Sequence, residues 1–184
     1  MKLISLLEKL EYTCLQGSTD QEVKNVIYDS RKVEEGSLFI CIRGAVVDGH
    51  KFVPDVVAKG AKVLIVEEAV EVPEDVTVIL VKDTRYAMAF ISAAYFGYPA
   101  EKLKTIGITG TKGKTTTTYM VKSILENAGY KVGLIGTIEA IIGDKVIPAK
   151  NTTPESYVIQ EYFHEMAEAG CDCVVMEVSS QGLM

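Results

Sequence analysis

Residues that could hold a transition metal are scarce in this sequence. The candidates are two histidines and four cysteines: His50, His164, Cys14, Cys41, Cys171 and Cys173. No two cysteines are separated by two residues, which is the spacing typical of zinc sites and of redox pairs. We therefore expect no Cys/His metal centre, and we expect the thiols to be free and buried.

Clusters of basic residues and long apolar runs are also missing. The chain has 25 acidic and 19 basic residues, a net charge of -6, and no run of Lys or Arg that would form the basic patch of a nucleic-acid binder. No apolar stretch approaches the roughly 18 residues that span a bilayer. Charges interrupt the amphipathic first segment too early for a secretory signal. We expect a cytoplasmic protein with no nucleic-acid or membrane partner.

The order of strand and helix patterns predicts an α/β fold with two units. In the first, residues 1–99, an N-terminal helix precedes alternating strands and helices, with Gly60 ending one helix and Asp83 capping the next. The second, residues 100–184, alternates strands with helices at 114–128 and 154–168 and has a hairpin-like segment between them.

The second unit is predicted to be a parallel sheet whose ligands lie at the carboxyl ends of its strands. Its last apolar strand, CVVME, ends only a few residues before the chain does. Because parallel sheets are normally covered on both faces, we expect this domain to be incomplete and the chain to be a fragment.

A phosphate-binding loop is predicted between the strand ending at Thr109 and the helix that follows. Two glycines let successive N–H groups point at one anion, and the helix N-terminus adds its positive dipole end. Lys114 would reach the β- and γ-phosphates of ATP, and the Thr115 hydroxyl would ligate Mg²⁺. The loop is the short G-x-x-G-K-T form, since Ile108 stands where the longer pattern has glycine. Its cofactor-binding residues are Gly110, Thr111, Lys112, Gly113, Lys114, Thr115 and Thr116.

A phosphate-loop enzyme also needs a carboxylate near the magnesium, usually at the end of a neighbouring strand. Glu177 ends the strand VVME and is the predicted second metal ligand and, with Lys114, a catalytic residue. Asp172 competes for the role, but it begins the strand and would lie at the opposite edge of a parallel sheet. The core face of the intervening helix is predicted at Val121, Ile124, Leu125 and Ala128.

Taken together, these motifs resemble the Mur ligases over nearly the whole chain. The first unit is similar to the family's uridine-nucleotide-binding domain, and TGTKGKTT is similar to its ATP-binding loop. The matching positions in the first unit are Asp29, Ser30, Arg31, Gly36, Leu38, Phe39, Asp48, Gly49, His50, Ala58, Gly60 and Ala61. The resemblance implies a UDP-MurNAc-binding domain at 1–99 and a truncated ATP-binding middle domain at 100–184.

Three later segments, GLIGTIE, NTTPES and MEVSSQGL, resemble the MurE type within this family. MurF and the folylpolyglutamate synthetases share other features but do not resemble the chain over these segments. The resemblance implies that Ser30 contacts the uridine diphosphate, and that UDP-MurNAc-L-Ala-D-Glu is bound by Asn151, Thr152, Thr153 and Ser179. Gln181 stands where many members have His. Without the resemblance, NTTPES reads as a helix start with Thr153 as its N-cap, and Ser30 as a surface residue.

The implied reaction is ATP-dependent phosphorylation of the substrate carboxylate, followed by attack of an amine on the acyl phosphate. The amine would come from meso-diaminopimelate or L-lysine. The family's C-terminal domain and its carbamylated lysine have no counterpart here, so we expect this chain to bind its ligands without ligating them. A catalytically incomplete binding module, another Mur-type ligase and a separate phosphate-loop NTPase remain alternatives.

Overall fold

The computed structural model describes residues 1–44 and 47–183, except for the side chains of Gln181 and Leu183. The substitution of Gln181 for His therefore lies outside the described side chains. The chain divides into two compact units, Met1–Tyr95 and Phe96–Met184, and each has its own sheet. Both units mix helices and strands, as the sequence predicts.

The first unit is a five-stranded sheet in the order β1-β5-β4-β3-β2. Its strands are β1 (Thr13–Gln16), β2 (Asn25–Ile27), β3 (Ser37–Ile40), β4 (Val63–Val66) and β5 (Thr77–Leu80). β2 to β5 run parallel, and β1 pairs antiparallel with β5 at the edge. Strands β3 and β4 are buried at every position, as expected for central strands covered on both faces.

The α-helices in the described part of this unit are α1 (Leu3–Leu6), α2 (Val53–Ala58) and α3 (Thr84–Tyr95). The N-terminal helix is four residues long, so the amphipathic first segment is helical for only about one turn. Gly60 follows α2 with a φ of +98°, which confirms its predicted place at the helix end. Asp83 accepts a hydrogen bond from the Tyr86 amide at 2.9 Å, which confirms the predicted N-cap of α3.

The second unit is a five-stranded sheet in the order β6-β10-β7-β8-β9. Its strands are β6 (Lys104–Ile108), β7 (Val132–Ile135), β8 (Glu139–Ile142), β9 (Lys145–Pro148) and β10 (Cys173–Glu177). β6, β10 and β7 are parallel, whereas β8 and β9 are added as an antiparallel hairpin. The sheet is therefore mixed, because the hairpin-like segment joins it directly after β7.

Helices α4 (Lys114–Asn127) and α5 (Ser156–Glu168) contribute to two separate apolar clusters on this sheet. Val121 and Leu125 of α4 pack against buried Val132, Cys173 and Val175, as predicted. The predictions for Ile124 and Ala128 are wrong: Ile124 is 65% exposed, and Ala128, which follows the last residue of α4, is also exposed. The contact follows the stripe of Val121 and Leu125, with fully buried Thr118 one turn before, and Ile124 lies to one side of it.

The thiols are free, but they are not all buried. Cys41, Cys171 and Cys173 are buried, whereas Cys14 is exposed on β1, so the prediction is wrong for Cys14. Burial raises the pKa of the Cys41 thiol to about 12.

Across residues 1–44 and 47–183, no helix combines the length and the apolar character needed to cross a bilayer.

Candidate functional site

The phosphate-loop segment connects the end of β6 to the start of α4. Gly113 has a φ of +78°, a left-handed conformation that costs an L side chain about 1–2 kcal/mol. It directly precedes Lys114, the first residue of α4, and its carbonyl accepts from the Thr117 amide at 2.9 Å. The loop therefore turns sharply into a fourteen-residue helix, whose N-terminal dipole end faces the loop.

Lys114 reaches back across this loop. Its ammonium donates to the Gly110 carbonyl oxygen at 2.8 Å, four residues earlier in the chain. The side chain thus places a positive charge beside the loop backbone. The intervening residues Thr111 and Lys112 are exposed, as is Thr116 on the first turn of α4, so solutes can reach the loop.

Glu177 lies at the same edge of the sheet. It ends β10, which pairs with β6 in a register that sets Glu177 beside Ile108, two residues before Gly110. Its residue surface is only 1% exposed. Asp172 precedes the same strand and accepts from the Lys131 amide at 2.8 Å, which places it at the amino end, away from the loop. The two carboxylates occupy the opposite sheet edges that the sequence assigns to them.

Three uncharged donors hold the buried Glu177 carboxylate. The Thr115 hydroxyl donates to Oε2 at 2.9 Å and the Thr137 hydroxyl to the same oxygen at 3.0 Å. The Thr137 amide donates to Oε1 at 2.9 Å. The structure thus brings together Thr115 and Glu177, which the sequence pairs as metal ligands.

Thr137 and Gly136 belong to this site although the sequence analysis does not select them. Both lie in the turn that follows β7, a parallel neighbour of β10. A side chain at Gly136 would place its Cβ only 2.6 Å from Glu177 Oε1, so it would displace the carboxylate from its present position. The rule that ligand-binding groups follow parallel strands would have indicated this turn, had it been applied to β7 as well.

The segment Asn151–Thr153 contacts the end of β10 through Thr153. The Thr153 hydroxyl donates to the Glu177 carbonyl oxygen at 3.1 Å and accepts from the Ser179 amide at 2.9 Å. The alternative in which Thr153 caps a helix is therefore wrong: α5 begins at Ser156, with Glu155 at its N-cap position. Thr152 lies 3.1 Å from Thr137, oxygen to oxygen, and Asn151 is exposed.

Ser30 lies in the other unit, on the chain that follows β2. It begins a short 3₁₀ helix, Ser30–Lys32, and its carbonyl accepts from the Lys59 ammonium at 2.9 Å. The preceding Asp29 accepts from both the amide and the guanidinium of Arg31. Those hydrogen bonds lower the pKa of Asp29 to about 2. The D-S-R motif is thus a capped turn that fixes the backbone at a half-buried Ser30.

The segment Asp48–His50 is also a capped turn. Asp48 accepts from the His50 amide at 3.0 Å and lies 2.6 Å from Nδ1 of the same residue. The Glu67 amide donates to His50 Nε2 at 3.0 Å, so Nε2 is the acceptor and Nδ1 carries the proton. This histidine has a structural role: it joins the loop after β3 to the end of β4.

The donor set of the second unit suits Mg²⁺. A carboxylate and a hydroxyl are the hard oxygen ligands that this ion prefers, and nucleotide-bound magnesium usually has only one or two protein ligands. Within the described residues, no group of three or more His, Cys, Asp or Glu could hold a metal by itself.

One helical turn beyond Thr115, the Tyr119 hydroxyl donates to the Glu139 carboxylate at 2.7 Å. Burial, together with that carboxylate, raises the pKa of Tyr119 to about 12.

Comparisons with known proteins identify the family to which both units are similar. Residues 22–96 match the Mur ligase family, catalytic domain, and residues 108–184 match the Mur ligase middle domain. The chain is 54% identical over 183 residues to the UDP-N-acetylmuramoyl-L-alanyl-D-glutamate–2,6-diaminopimelate ligase of Clostridium perfringens. The match covers 100% of this chain but only 38% of that protein. It thus spans under two-fifths of that relative.

Solved structures share the fold. A UDP-N-acetylmuramoyl-L-alanyl-D-glutamate–2,6-diaminopimelate ligase superposes with a TM-score of 0.76 at 23% identity, over 100% of this chain and 37% of its own. MurF from Acinetobacter baumannii gives a TM-score of 0.66 at 26% identity, over 97% of this chain and 36% of its own. With family matches in both units, the chain belongs to the Mur ligase family, of which it contains the N-terminal and middle-domain sequence.

Proposed function

We propose that this chain is part of an ATP-dependent ligase that adds the third amino acid to UDP-MurNAc-L-Ala-D-Glu during peptidoglycan precursor synthesis. The observation that carries the proposal is the pairing of Thr115 with Glu177, 2.9 Å apart, beside the loop that carries Lys114. This pairing supplies two oxygen ligands for Mg²⁺ next to a backbone suited to polyphosphate. The name of the similar Clostridium perfringens ligase supports the same reaction class.

The name of that relative also favours one amino acid. It is a 2,6-diaminopimelate ligase and is 54% identical to this chain. We therefore infer diaminopimelate, rather than L-lysine, as the incoming amine of the whole protein. The location that we propose is the cytoplasm, because the reaction uses ATP.

In the proposed mechanism the chain manages negative charge. The substrate carboxylate and the triphosphate repel each other, so Lys114 and the loop amides would hold the terminal phosphate in line with the attacking oxygen. Thr115 and Glu177 would hold Mg²⁺, which supplies charge neutralisation at the phosphates.

The muramoyl dipeptide would be bound by Asn151, Thr152, Thr153 and Ser179, and the uridine diphosphate by Ser30. Each of these side chains can donate or accept hydrogen bonds to sugar, phosphate or peptide groups.

For the chain by itself we propose ligand binding without turnover. It spans 38% of the length of the similar Clostridium perfringens ligase, so most of the length of that ligase has no counterpart in residues 1–184. ATP and UDP-MurNAc-L-Ala-D-Glu should each bind saturably. Release of ADP from this chain that depends on diaminopimelate would contradict the proposal.

A hybrid enzyme tests the proposed ligase reaction. Residues 1–184 would replace the corresponding N-terminal 38% of the Clostridium perfringens ligase, and ADP release would be measured with ATP, UDP-MurNAc-L-Ala-D-Glu and diaminopimelate. We expect ADP release that requires all three substrates and that is abolished by Lys114→Ala. A folded hybrid that releases no ADP, alongside an active parent enzyme, would count against the assignment.

A further inference from the structure

Thr137 donates two hydrogen bonds to the Glu177 carboxylate, whereas Thr115 donates one. It lies in an exposed turn, yet both its amide and its hydroxyl donate to Glu177, at 2.9 and 3.0 Å. The two bonds reach different carboxylate oxygens, so together they fix the rotation of the carboxylate plane. Gly136 permits this close approach to the turn, since a Cβ there would lie only 2.6 Å from Oε1.

The single proton of the Thr137 hydroxyl determines the direction of a hydrogen-bond chain. The hydroxyl oxygen lies 3.0 Å from Glu177 Oε2 and 3.1 Å from the Thr152 hydroxyl oxygen. A carboxylate is the stronger acceptor, so Thr137 donates to Glu177 and accepts from Thr152. The chain of hydroxyls therefore runs from the predicted substrate segment to the carboxylate, which Thr115 contacts from the phosphate loop.

We propose that Thr137 is a positioning residue that orients Glu177 for Mg²⁺ and connects the Asn151–Thr153 segment to the metal site. The inference rests on the proposed function, because it assumes that Glu177 holds Mg²⁺ beside a bound nucleotide. Loss of the hydroxyl removes one bond to a charged acceptor and frees the carboxylate to rotate. We expect the Mg²⁺ concentration for half-maximal nucleotide binding to rise about tenfold.

The test uses the 184-residue chain, a fluorescent N-methylanthraniloyl derivative of ADP and a titration with Mg²⁺. Thr137→Val and Thr137→Ala remove the hydroxyl, whereas Thr137→Ser retains it. We expect both hydroxyl-free variants to show the tenfold shift and Thr137→Ser to stay within about twofold of wild type. Thr105→Val, on the exposed edge strand β6, is the matched control and should not shift the titration.

A second measurement separates positioning from general damage to the fold. Nucleotide affinity without Mg²⁺ should be the same in Thr137→Val and wild type, because only the metal-dependent part passes through Glu177. An unchanged Mg²⁺ midpoint in both hydroxyl-free variants, or an equal shift in Thr137→Ser, would overturn the inference and leave the proposed function intact. Failure of folded wild-type chain to bind the nucleotide would instead overturn the proposed function, and this inference with it.

Discussion

Replacement of Glu177 by Gln should separate the stability of this site from its function. The carboxylate is 1% exposed and receives hydrogen bonds from the Thr137 amide and from two threonine hydroxyls, which are all uncharged. Burying an ion costs several kcal/mol, and a hydrogen bond to a charged group returns about 1.5–3 kcal/mol. The three bonds therefore offset most of the cost, and the negative charge contributes little net stability.

Glutamine can keep the same contacts. Its carbonyl oxygen can accept from the Thr137 amide, and its NH₂ group can donate to the hydroxyl oxygens of Thr115 and Thr137 after those hydroxyls rotate. We expect the free energy of unfolding of Glu177→Gln to lie within about 1 kcal/mol of wild type. Glu177→Ala leaves the three donors without their acceptor and opens a cavity, so it should lose about 2–4 kcal/mol.

The assay combines urea unfolding with Mg²⁺-dependent binding of ATP. Glu177→Gln should lose the metal-dependent gain in affinity, about tenfold or more, while remaining folded. Asp172→Asn removes a carboxylate at the opposite end of β10 and should retain that gain. The reasoning is refuted if Glu177→Gln destabilises the chain as much as Glu177→Ala, or if it binds ATP with an unchanged response to Mg²⁺.

Three further predictions concern the loop, the turn and the thiols. Lys114→Ala should weaken ATP binding about tenfold or more but change the melting temperature by less than about 3 °C, because the Lys114 ammonium makes one exposed hydrogen bond in the free chain. The control Lys145→Ala removes an exposed ion pair with Glu165 and should bind ATP as wild type does in the same titration. Gly136→Ala should reduce the Mg²⁺ dependence of ATP binding, because its Cβ would displace Glu177. The control Gly107→Ala should leave that dependence unchanged, because its Cβ meets only a Val178 methyl group at 3.2 Å. Equal Mg²⁺ titrations for the two variants would contradict the crowding argument. A disulfide reagent should modify Cys14 alone at neutral pH, because it is the exposed thiol. The pKa of Cys41 is raised from 9.0 to about 12 in the folded chain, so the stability that this protonated thiol contributes is present below pH 9 and is lost as the pH rises toward 12. The free energy of unfolding of Cys41→Ala, measured with urea, should therefore fall less steeply with alkaline pH than that of wild type, and parallel pH profiles would show that another group is responsible.

The sequence predicts those parts of the fold that depend on local pattern. The central strands β3, β4 and β7 are mostly apolar in sequence and buried at every position, and the helix ends at Gly60 and Asp83 follow from the residues themselves. The Thr115–Glu177 pairing is also predictable, because strand ends in a parallel sheet meet at one edge. These features need only the spacing of residues and the rule of parallel topology.

The remaining features depend on tertiary contacts that spacing does not reveal. Ile124 has the helical spacing of a core residue, but the position of α4 on the sheet leaves it 65% exposed. Thr153 has the residue type and the following proline of a helix cap, yet it hydrogen-bonds to the end of β10 instead. Thr137 lies 40 residues from Glu177 in the sequence; the rule of parallel strand ends indicates its turn, but only the tertiary structure shows that its amide and its hydroxyl both reach Glu177.

Calorimetric titration of ATP into the 184-residue chain tests most directly whether the loop at 110–116 and Glu177 form a polyphosphate and metal site. With Mg²⁺ present we predict saturable binding with one site per chain, and affinity at least about tenfold weaker when a chelator removes the metal. Absence of saturable binding at millimolar ATP by folded chain, or equal affinity with and without Mg²⁺, would contradict the account.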